Sequence, residues 1–299
     1  MRRLLAVWLL ALAAVHAYAF VEVRRFFVFT EKGQRLDWIA LTGNSIGEDR
    51  IDDLVNTVLD AMTVASLVGA TVLIGFIALI RRRFLLAVAA TLLVAGANLT
   101  TQVLKQATTR PELGVDVERI AAGNSLPSGH TTVAASIAIA LVLVLPAQVR
   151  ALAALLGAAY IALAGVATMS AGWHRPSDAV ASLLVVGAWA AVAGALLALF
   201  QRDDGFADEQ KAHWPTVATL LVVALVAFAV AAASWQWVND VIAIPPDELG
   251  RRRLFAAYAG SAAGITGTAT LVMALFLASL HQVVPQRGAQ SGQRGKLST

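Results

Sequence analysis

The chain contains no cysteine, which excludes disulfide bonds, thiolate catalysis and cysteine-based zinc sites. Charged residues are also scarce, at 14% of the 299 residues, whereas soluble globular proteins carry roughly 25%. The alternating apolar and polar pattern of a membrane β-barrel is missing as well. The pI is about 9.8, but the basic residues are scattered among loops and form no basic domain. We therefore expect no nucleic-acid partner.

Apolar residues are abundant instead, and they occur in long blocks. They make up 58% of the chain, and the mean hydropathy is +0.71. A helix needs roughly 20 apolar residues to cross the hydrocarbon core of a bilayer, and backbone in lipid must satisfy its own hydrogen bonds. We therefore predict an all-α, polytopic membrane bundle with spans at roughly 4–20, 59–80, 84–104, 131–147, 151–169, 179–200, 216–234 and 262–281.

The first predicted span has two interpretations. Met1-Arg2-Arg3, an apolar stretch and Ala17-Tyr18-Ala19 fit either a cleavable signal peptide or an uncleaved signal anchor. The polytopic continuation favours the anchor. The balance of Lys and Arg between alternate loops does not decide the orientation, but the tight Arg81-Arg82-Arg83 hairpin favours the cytoplasm. We expect both termini inside, with residues 21–58, 105–130, 170–178 and 235–261 on the outer face.

Three polar clusters stand at helix ends on this predicted outer face. Lys105 and Arg110-Pro111 follow the third span, residues 124–130 precede the fourth, and residues 173–178 precede the sixth. Taken singly, each has an ordinary explanation, such as a snorkelling lysine, a helix terminator or a structural hydrogen bond. Because all three lie at one side of the bilayer, helix packing can bring them together. Their combination indicates a shared site.

The second cluster has the features of a phosphate site. Pro127-Ser128-Gly129-His130 opens a helix, and the first N–H groups of a helix have no intrahelical partner and attract anions. Gly129 allows phosphate to approach the backbone, and Ser128 adds a hydroxyl donor. Lys105 and Arg110 supply positive charge, and arginine offers a planar fork that matches phosphate oxygens.

Two histidines and a carboxylate complete the candidate chemistry. Asp178 follows His174 by four residues, and a carboxylate on one imidazole nitrogen fixes the tautomer and leaves the other nitrogen to attack. His130 can protonate a leaving oxygen. The pattern predicts phosphoryl transfer without a metal or an organic cofactor. The remaining histidines have no such partners nearby; they are His16, His213 and His281.

These motifs resemble the signature of the type-2 phosphatidic acid phosphatase superfamily, which also includes the vanadium haloperoxidases. That signature is a Lys followed by Arg-Pro, then Pro-Ser-Gly-His, then Ser-Arg, five residues, His, three residues and Asp. Here Pro127 to His130 is intact, and His174 and Asp178 match the third motif. The resemblance covers about residues 59–200 and points to the membrane lipid-phosphate phosphatase branch.

The resemblance implies a helical bundle whose phosphate pocket opens at the membrane surface. It also implies that His174 is the nucleophile and forms a phosphohistidine, that Asp178 holds it, and that His130 is the general acid. Lys105, Ser128 and Gly129 would hold the phosphate, and we add Arg110 to this set.

Two positions depart from the family pattern. Ala167 and Thr168 stand where the third motif has Ser-Arg, so one phosphate-binding arginine is missing. The common register of the first motif falls on Glu112-Leu113, and Arg110-Pro111 lies two residues earlier. We expect Arg175, next to the nucleophile, to substitute for the lost arginine.

The sequence therefore predicts a membrane hydrolase that removes the terminal phosphate of a lipid phosphate or a polyprenyl diphosphate at the extracytoplasmic face of the cell membrane. Its expected partners are the amphiphilic substrate and the membrane. The alternatives are a lipid-binding or transport protein with a relic pocket, a haloperoxidase, and a plain channel. The expected regions are an N-terminal helix and outer loop at 1–58, a phosphatase core at 59–202, two further membrane helices at 203–285 and a disordered tail at 286–299.

Overall fold

The structure, a computed structural model, describes residues 2–45, 84–115, 124–200 and 213–283, with positions 68, 69, 72, 74 and 76. Every regular element in this part of the chain is helical, which confirms the predicted all-α class. Short 3₁₀ segments lie at Gly43–Ser45 and Pro246–Glu248. The α-helices are α1 (Arg2–Phe29), α2 (Glu31–Thr42), α3 (Phe84–Ala107), α4 (Gly129–Val144), α5 (Ala147–Ser170), α6 (Pro176–Phe200), α7 (Trp214–Asn239) and α8 (Arg251–Val283).

The chain is a multi-pass membrane protein. Six helices are long and apolar enough to cross a bilayer, namely α1, α3, α5, α6, α7 and α8 as far as Leu280. The predicted span at 131–147 corresponds to α4, which is apolar but only 16 residues long. It ends before Pro146, which has no N–H to continue a helix. The predicted span at 59–80, apart from the five positions named above, and the predicted tail at 286–299 lie outside the described residues.

The N-terminal region differs from the expected loop at 21–58. α1 does not end near residue 20 but continues to Phe29, and α2 follows directly. Charges such as Arg24 interrupt the apolar run, but no glycine or proline interrupts the helix. Thr30 separates the two helices, and its hydroxyl caps α2 by accepting the N–H of Gly33 at 3.0 Å.

α6 lies at the centre of the bundle and packs against α1, α3, α4, α5 and α8. Its closest neighbour along much of its length is α1, and glycines of α6 face large α1 side chains there. A Cβ atom built at Gly187 would lie 2.4 Å from the His16 ring, whereas one at Gly194 would lie 3.4 Å from Leu9. Small residues of this kind let membrane helices approach closely.

α7 and α8 form a pair at the edge of the bundle. α7 packs mainly on α8, and α8 also contacts α2, α5 and α6. The predicted last span began at residue 262, but α8 begins at Arg251. The arginines at 251–253 fall in the segment 235–261, which the sequence prediction placed on the outer face. In the structure Arg253 lies in the first turn of α8, donates to the carbonyl of Trp237 and places its guanidinium 4.5 Å from that indole ring.

Side-chain contacts gather several helix ends at one end of the bundle, which we call the site end. Arg24 of α1 donates to the hydroxyl of Thr108, just beyond α3, at 3.1 Å. The Ser170 hydroxyl, at the end of α5, lies 2.7 Å from the Tyr258 hydroxyl near the start of α8. Asn44 donates to the Ser170 carbonyl at 3.2 Å. The first turns of α4 and α6 lie at the same end, as described below.

We expect Gly187→Ala to destabilise the protein, because the new methyl group would collide with the His16 ring. Overpacking of this kind typically costs about 1–3 kcal/mol. The measurement is the thermal unfolding temperature in detergent. Gly194→Ala is the matched control on the same helix pair, because its methyl group makes only ordinary contact with Leu9. Equal unfolding temperatures for the two variants would contradict the close α1–α6 packing.

Candidate active site

The second and third polar clusters are joined through their backbones. The N–H of Ser128 donates to the carbonyl of Asp178 at 3.1 Å. The Ser182 hydroxyl lies 2.8 Å from the carbonyl oxygens of both residues. The first cluster is attached by Asn124, whose amide donates to the carbonyl of Lys105 at 3.2 Å. The three clusters predicted to meet therefore lie together at the site end.

A buried pair forms at the start of α6 between His174, which precedes the helix, and Asp178, which lies in its first turn. Both side chains are almost completely buried, and Nδ1 of His174 lies 3.3 Å from Oδ2 of Asp178. The loop that carries His174 is fixed by its N–H, which donates to the carbonyl of Thr168 at 3.1 Å. Because Nδ1 faces the carboxylate, Nε2 is the nitrogen that can face a substrate.

Oδ2 of Asp178 also organises the neighbouring residues. It accepts the backbone N–H of Arg175 at 3.0 Å and the hydroxyl of Ser125 at 2.5 Å. Nη1 of Arg175 in turn donates to the Ser125 hydroxyl at 3.0 Å. Oδ1 of Asp178 is buried without a hydrogen-bond partner within the described residues. One carboxylate thus links the predicted nucleophile, the predicted substitute arginine and a serine of the second cluster.

His130 lies beside His174. The centroids of the two imidazole rings are 6.2 Å apart, and Trp173 packs against the His130 ring at 5.3 Å. Nδ1 of His130 is buried and has no hydrogen-bond partner among the residues described. Lys105 is near enough for its charge to act on His130. The two imidazole rings and the charge of Lys105 therefore lie in one region of the site end.

Ser128 and Gly129 have different surroundings. The Ser128 side chain is fully buried, and its hydroxyl caps α4 by accepting the N–H of Thr131 at 3.3 Å and the Thr131 hydroxyl at 3.1 Å. Gly129 is less buried. Of the described atoms, the nearest to a Cβ built there is Nε2 of Gln102, at 3.9 Å. Helix packing in the described structure therefore does not require a glycine here, and the open space suits an anion near the helix N-terminus.

Arg110 is buried next to a carboxylate that the sequence analysis did not identify. Its side chain is 7% exposed, and Nη2 lies 3.6 Å from Oδ2 of Asp37. Nε and Nη2 have no hydrogen-bond partner in the described part of the chain. Burial and the nearby charge of Arg175 lower the pKa of Arg110, against the opposing effects of Asp37 and Asp178. Buried donors without partners are rare, and an anionic ligand would satisfy them.

Asp37 of α2 is the main residue that sequence reasoning missed. It accepts the hydroxyl of Ser177 at 2.6 Å and the N–H of the same residue at 3.3 Å. Burial raises the pKa of Asp37 to about 6; the charge of Arg110 lowers it and that of Asp178 raises it further.

Asp37 stands alone in a segment expected to be a loop, so no local pattern connected it with the clusters. Ser125 and Ser177 lay inside recognised clusters but were not assigned a role.

The two departures from the family pattern are visible in the structure. Thr168 is completely buried, and its hydroxyl donates to the carbonyl of Gly165 at 2.9 Å within α5. This position therefore supports the loop before His174 through its carbonyl and offers no charged donor. Glu112 is exposed to the surroundings.

The charges of the site favour an anion. Lys105, Arg110 and Arg175 bring three cations to the site end, while Asp37 and Asp178 are each engaged with neighbouring donors or cations. Within the described residues no group of three or more histidine, cysteine or acidic side chains is placed to hold a metal ion.

Residues 84–202 match the family model described as the PAP2 superfamily, which confirms the resemblance inferred from the motifs. The matched segment contains α3, α4, α5 and α6 and all of the predicted site residues. α1, α2, α7 and α8 lie outside it, and so does Asp37. No curated protein and no solved structure is significantly similar to the chain.

We expect Gly129→Ala to weaken phosphate binding without lowering stability, because the methyl group would occupy the open space and not strike a described atom. Protection of the protein by inorganic phosphate against thermal unfolding measures this, and we expect an apparent Kd about 10-fold higher, or about 1.4 kcal/mol. Gly165→Ala is the control, since its Cβ would lie 2.7 Å from Ile265 and should lower stability instead. Unchanged phosphate protection in Gly129→Ala would contradict an anion site here.

A second prediction concerns Asp37. Its pKa is raised on folding, so its contribution to stability is fully present below about pH 4 and is lost as the pH rises through about 6. Asp37→Asn removes this pH-dependent loss of stability. The loss amounts to at most about 3 kcal/mol, because one pKa unit corresponds to ~1.4 kcal/mol. Unfolding temperatures of the variant relative to the parent should therefore rise between pH 4 and pH 7. Asp247→Asn, at an exposed carboxylate outside the site, should follow the parent throughout; a constant offset for Asp37→Asn would refute the assignment.

Proposed function

We propose that the protein is a membrane phosphatase that removes the terminal phosphate of a lipid phosphate or a polyprenyl diphosphate. The match of residues 84–202 to the PAP2 superfamily model, which suggests phosphatase activity, supports the proposal. The observation that carries the proposal is the His174–Asp178 pair beside His130 and Lys105, at one end of a bundle of apolar helices. A site in this position suits an amphiphilic substrate whose apolar chains remain in the bilayer.

The first chemical step is transfer of the phosphoryl group to His174. Nε2 of His174 attacks phosphorus, the bond from phosphorus to the leaving oxygen breaks, and that oxygen takes the bond's electron pair. His130 gives the leaving oxygen a proton, so the dephosphorylated lipid departs as a neutral alcohol or, from a diphosphate, as a monophosphate. Asp178, bound to Nδ1–H, holds the ring and stabilises the positive charge of the phosphohistidine.

The second step is hydrolysis of the phosphohistidine. His130, now without its proton, takes a proton from a water molecule as that water attacks phosphorus. The phosphorus–nitrogen bond breaks, its electron pair returns to Nε2 of His174, and inorganic phosphate leaves. Both histidines are then in their starting states. All proton transfers in this scheme use residues of the chain and water.

Cationic residues and helix N–H groups stabilise the charge that develops on the phosphoryl oxygens. Lys105 lies near His130, Arg110 has buried donors without partners, and Gly129 opens the N-terminus of α4. Arg175 adds a further positive charge and is positioned by Ser125. Preorganised donors of this kind are often the largest single contribution to catalysis.

The expected setting is the cell membrane, with the site on the extracytoplasmic face. This orientation rests on the Arg81-Arg82-Arg83 run of the sequence, which lies outside the described residues, as an inside signal, together with the common location of the helix ends at the site end. The partners in the proposal are the membrane and the phosphorylated lipid.

A second candidate function is binding or transport of a phosphorylated lipid without hydrolysis. The observation that favours it is Thr168, which replaces a family arginine and uses its hydroxyl within its own helix. Loss of one oxyanion donor typically lowers kcat by about 10²–10³ unless another group replaces it. In this candidate the same pocket would bind phosphate but turn nothing over.

The deciding experiment measures inorganic phosphate release by the detergent-purified protein from phosphatidic acid, a phosphatidylglycerol phosphate and a polyprenyl diphosphate. We expect release from at least one of them. His174→Ala should abolish release, and His130→Ala should reduce it about 10²–10⁴-fold, the usual contribution of a general acid. His213→Ala is the matched control, because His213 precedes α7 outside the site, and it should keep the parent activity.

Two results would change the conclusion. Lipid binding without release from any substrate would favour the second candidate. Full release by His174→Ala would remove the proposed nucleophile and, with it, the phosphohistidine mechanism.

A further inference from the structure

An apolar cavity of about 330 Å³ lies beside the site, between α2, α6, α7 and α8. Its lining includes aromatic side chains of α7, such as Phe228 and Trp235, and small residues of α8, such as Gly260 and Gly264. The volume is about twice that of an engineered cavity of about 150 Å³ that binds benzene, and it reaches the range of about 300–1,000 Å³ typical of ligand pockets.

The cavity is elongated along the helix axes. On α8 its lining positions run from Ala257 to Gly264 on one face, and on α7 they run from Phe228 to Val238. At 1.5 Å per residue these stretches are about 10 Å and 15 Å long. α7 and α8 are both candidate membrane spans, so the long direction of the cavity crosses the bilayer. A hydrocarbon chain in a membrane extends in the same direction.

One end of the cavity adjoins the catalytic turn. Pro176, Ser177 and Val180 of α6 line it, whereas His174 and Asp178 face the other side of that turn. Asp37 also lines the cavity, and its carboxylate binds Ser177 on one side and lies 3.6 Å from Arg110 on the other. Asp37 and Ser177 therefore lie at the boundary between the apolar cavity and the site, and Arg110 lies on the site's side of that boundary.

The glycines of α8 differ in how tightly they meet α7. A Cβ built at Gly260 would strike Oγ of Ser234, whereas one built at Gly264 would make ordinary contact with Cβ of Ala231 at 3.8 Å. Because Gly264 and Ala231 both line the cavity, a larger side chain at either position reduces the space available to a ligand. Apart from Asp37 and three serines the lining is apolar, so the cavity suits an apolar occupant.

We propose that this cavity binds one hydrocarbon chain of the phosphorylated lipid whose head group occupies the site. For the identity of the head group the inference rests on the proposed function. The cavity walls come largely from α2, α7 and α8, outside the matched residues 84–202. The helices α2, α7 and α8 therefore let the protein select its substrate by the hydrocarbon chain of the lipid. The matched segment alone does not supply this selectivity.

The first test measures binding and does not depend on turnover. The full-length protein in detergent is irradiated with a phosphatidic acid that carries a diazirine near the end of one acyl chain. We expect the crosslinks to map to peptides of α7 and α8 that contain residues 228–238 and 257–264. Ala231→Phe and Gly264→Leu, which introduce larger side chains at lining positions of α7 and α8, should each reduce these crosslinks at least about 5-fold, a change equivalent to about 1 kcal/mol. Ala229→Phe is the matched control, because Ala229 is an exposed residue on the same helix.

The second test uses kinetics and a further labelled lipid. It shows whether the cavity holds a hydrocarbon chain of the substrate or a chain of a bilayer lipid. The filled variants should raise KM for a long-chain phosphatidic acid and leave the kinetics on a water-soluble, short-chain phosphate ester unchanged. A diazirine-labelled diacylglycerol, which has the same chains and no phosphate, should label the cavity far less than the phosphatidic acid. Equal labelling by diacylglycerol would assign the cavity to a bilayer lipid and overturn the proposal.

The outcomes distinguish the hydrocarbon-chain site from the phosphatase function. If the cavity-filling variants lose the crosslinks and the parent protein releases no phosphate, the results support the hydrocarbon-chain site and reject the phosphatase function. Phosphate release with crosslinks that persist in both filled variants rejects the chain site and leaves the phosphatase function standing. Unfolding temperatures of the two filled variants show that each is folded, and either variant alone is sufficient for the test.

Discussion

The first turn of α6 has N–H groups that no carbonyl of the same helix can accept, and in a bundle surrounded by lipid their partners must come from the protein. Two carboxylates accept N–H groups at this end of the helix. Asp37 accepts the N–H of Ser177 in the first turn, and Asp178 accepts that of Arg175, the residue just before the helix. Both negative charges lie at the positive end of the helix dipole. Because Asp178 also holds His174, the contacts that begin the helix are the same contacts that orient the proposed nucleophile.

The parts of the site that could be predicted from sequence are those encoded locally. His174 and Asp178 are one helical turn apart, and Ser128-Gly129-His130 begins a helix, so short-range spacing was sufficient to recognise them. Asp37 could not be found in this way. Its partners, Arg110 and Ser177, are far away in the chain, and only the packing of α2 against α6 brings the three together. Non-local ion pairs leave no periodic signal in a single sequence.

The helix limits show a related difference. Apolar runs located the membrane helices, but charge is a poor marker of where a helix stops. α1 continues past Arg24, and α8 begins with Arg251, because these side chains find protein partners or extend away from the apolar core. Backbone signals were more informative: Thr30 caps α2, and Pro146 separates α4 from α5. A membrane helix is therefore better delimited by its caps and breakers than by its last apolar residue.

The shortness of α4 has a consequence for the depth of the site. Its 16 residues extend about 24 Å at 1.5 Å per residue, less than the roughly 30 Å of the hydrocarbon core. At the far end, Arg150 donates to the carbonyls of Val142 and Leu145, and an arginine is most stable near the membrane interface. The missing length therefore falls at the other end, below Gly129. In the proposed function, a phosphate bound there would lie lower than the headgroups of the surrounding lipids, with the glycerol or prenyl oxygen of its lipid drawn into the bilayer and shielded from bulk water.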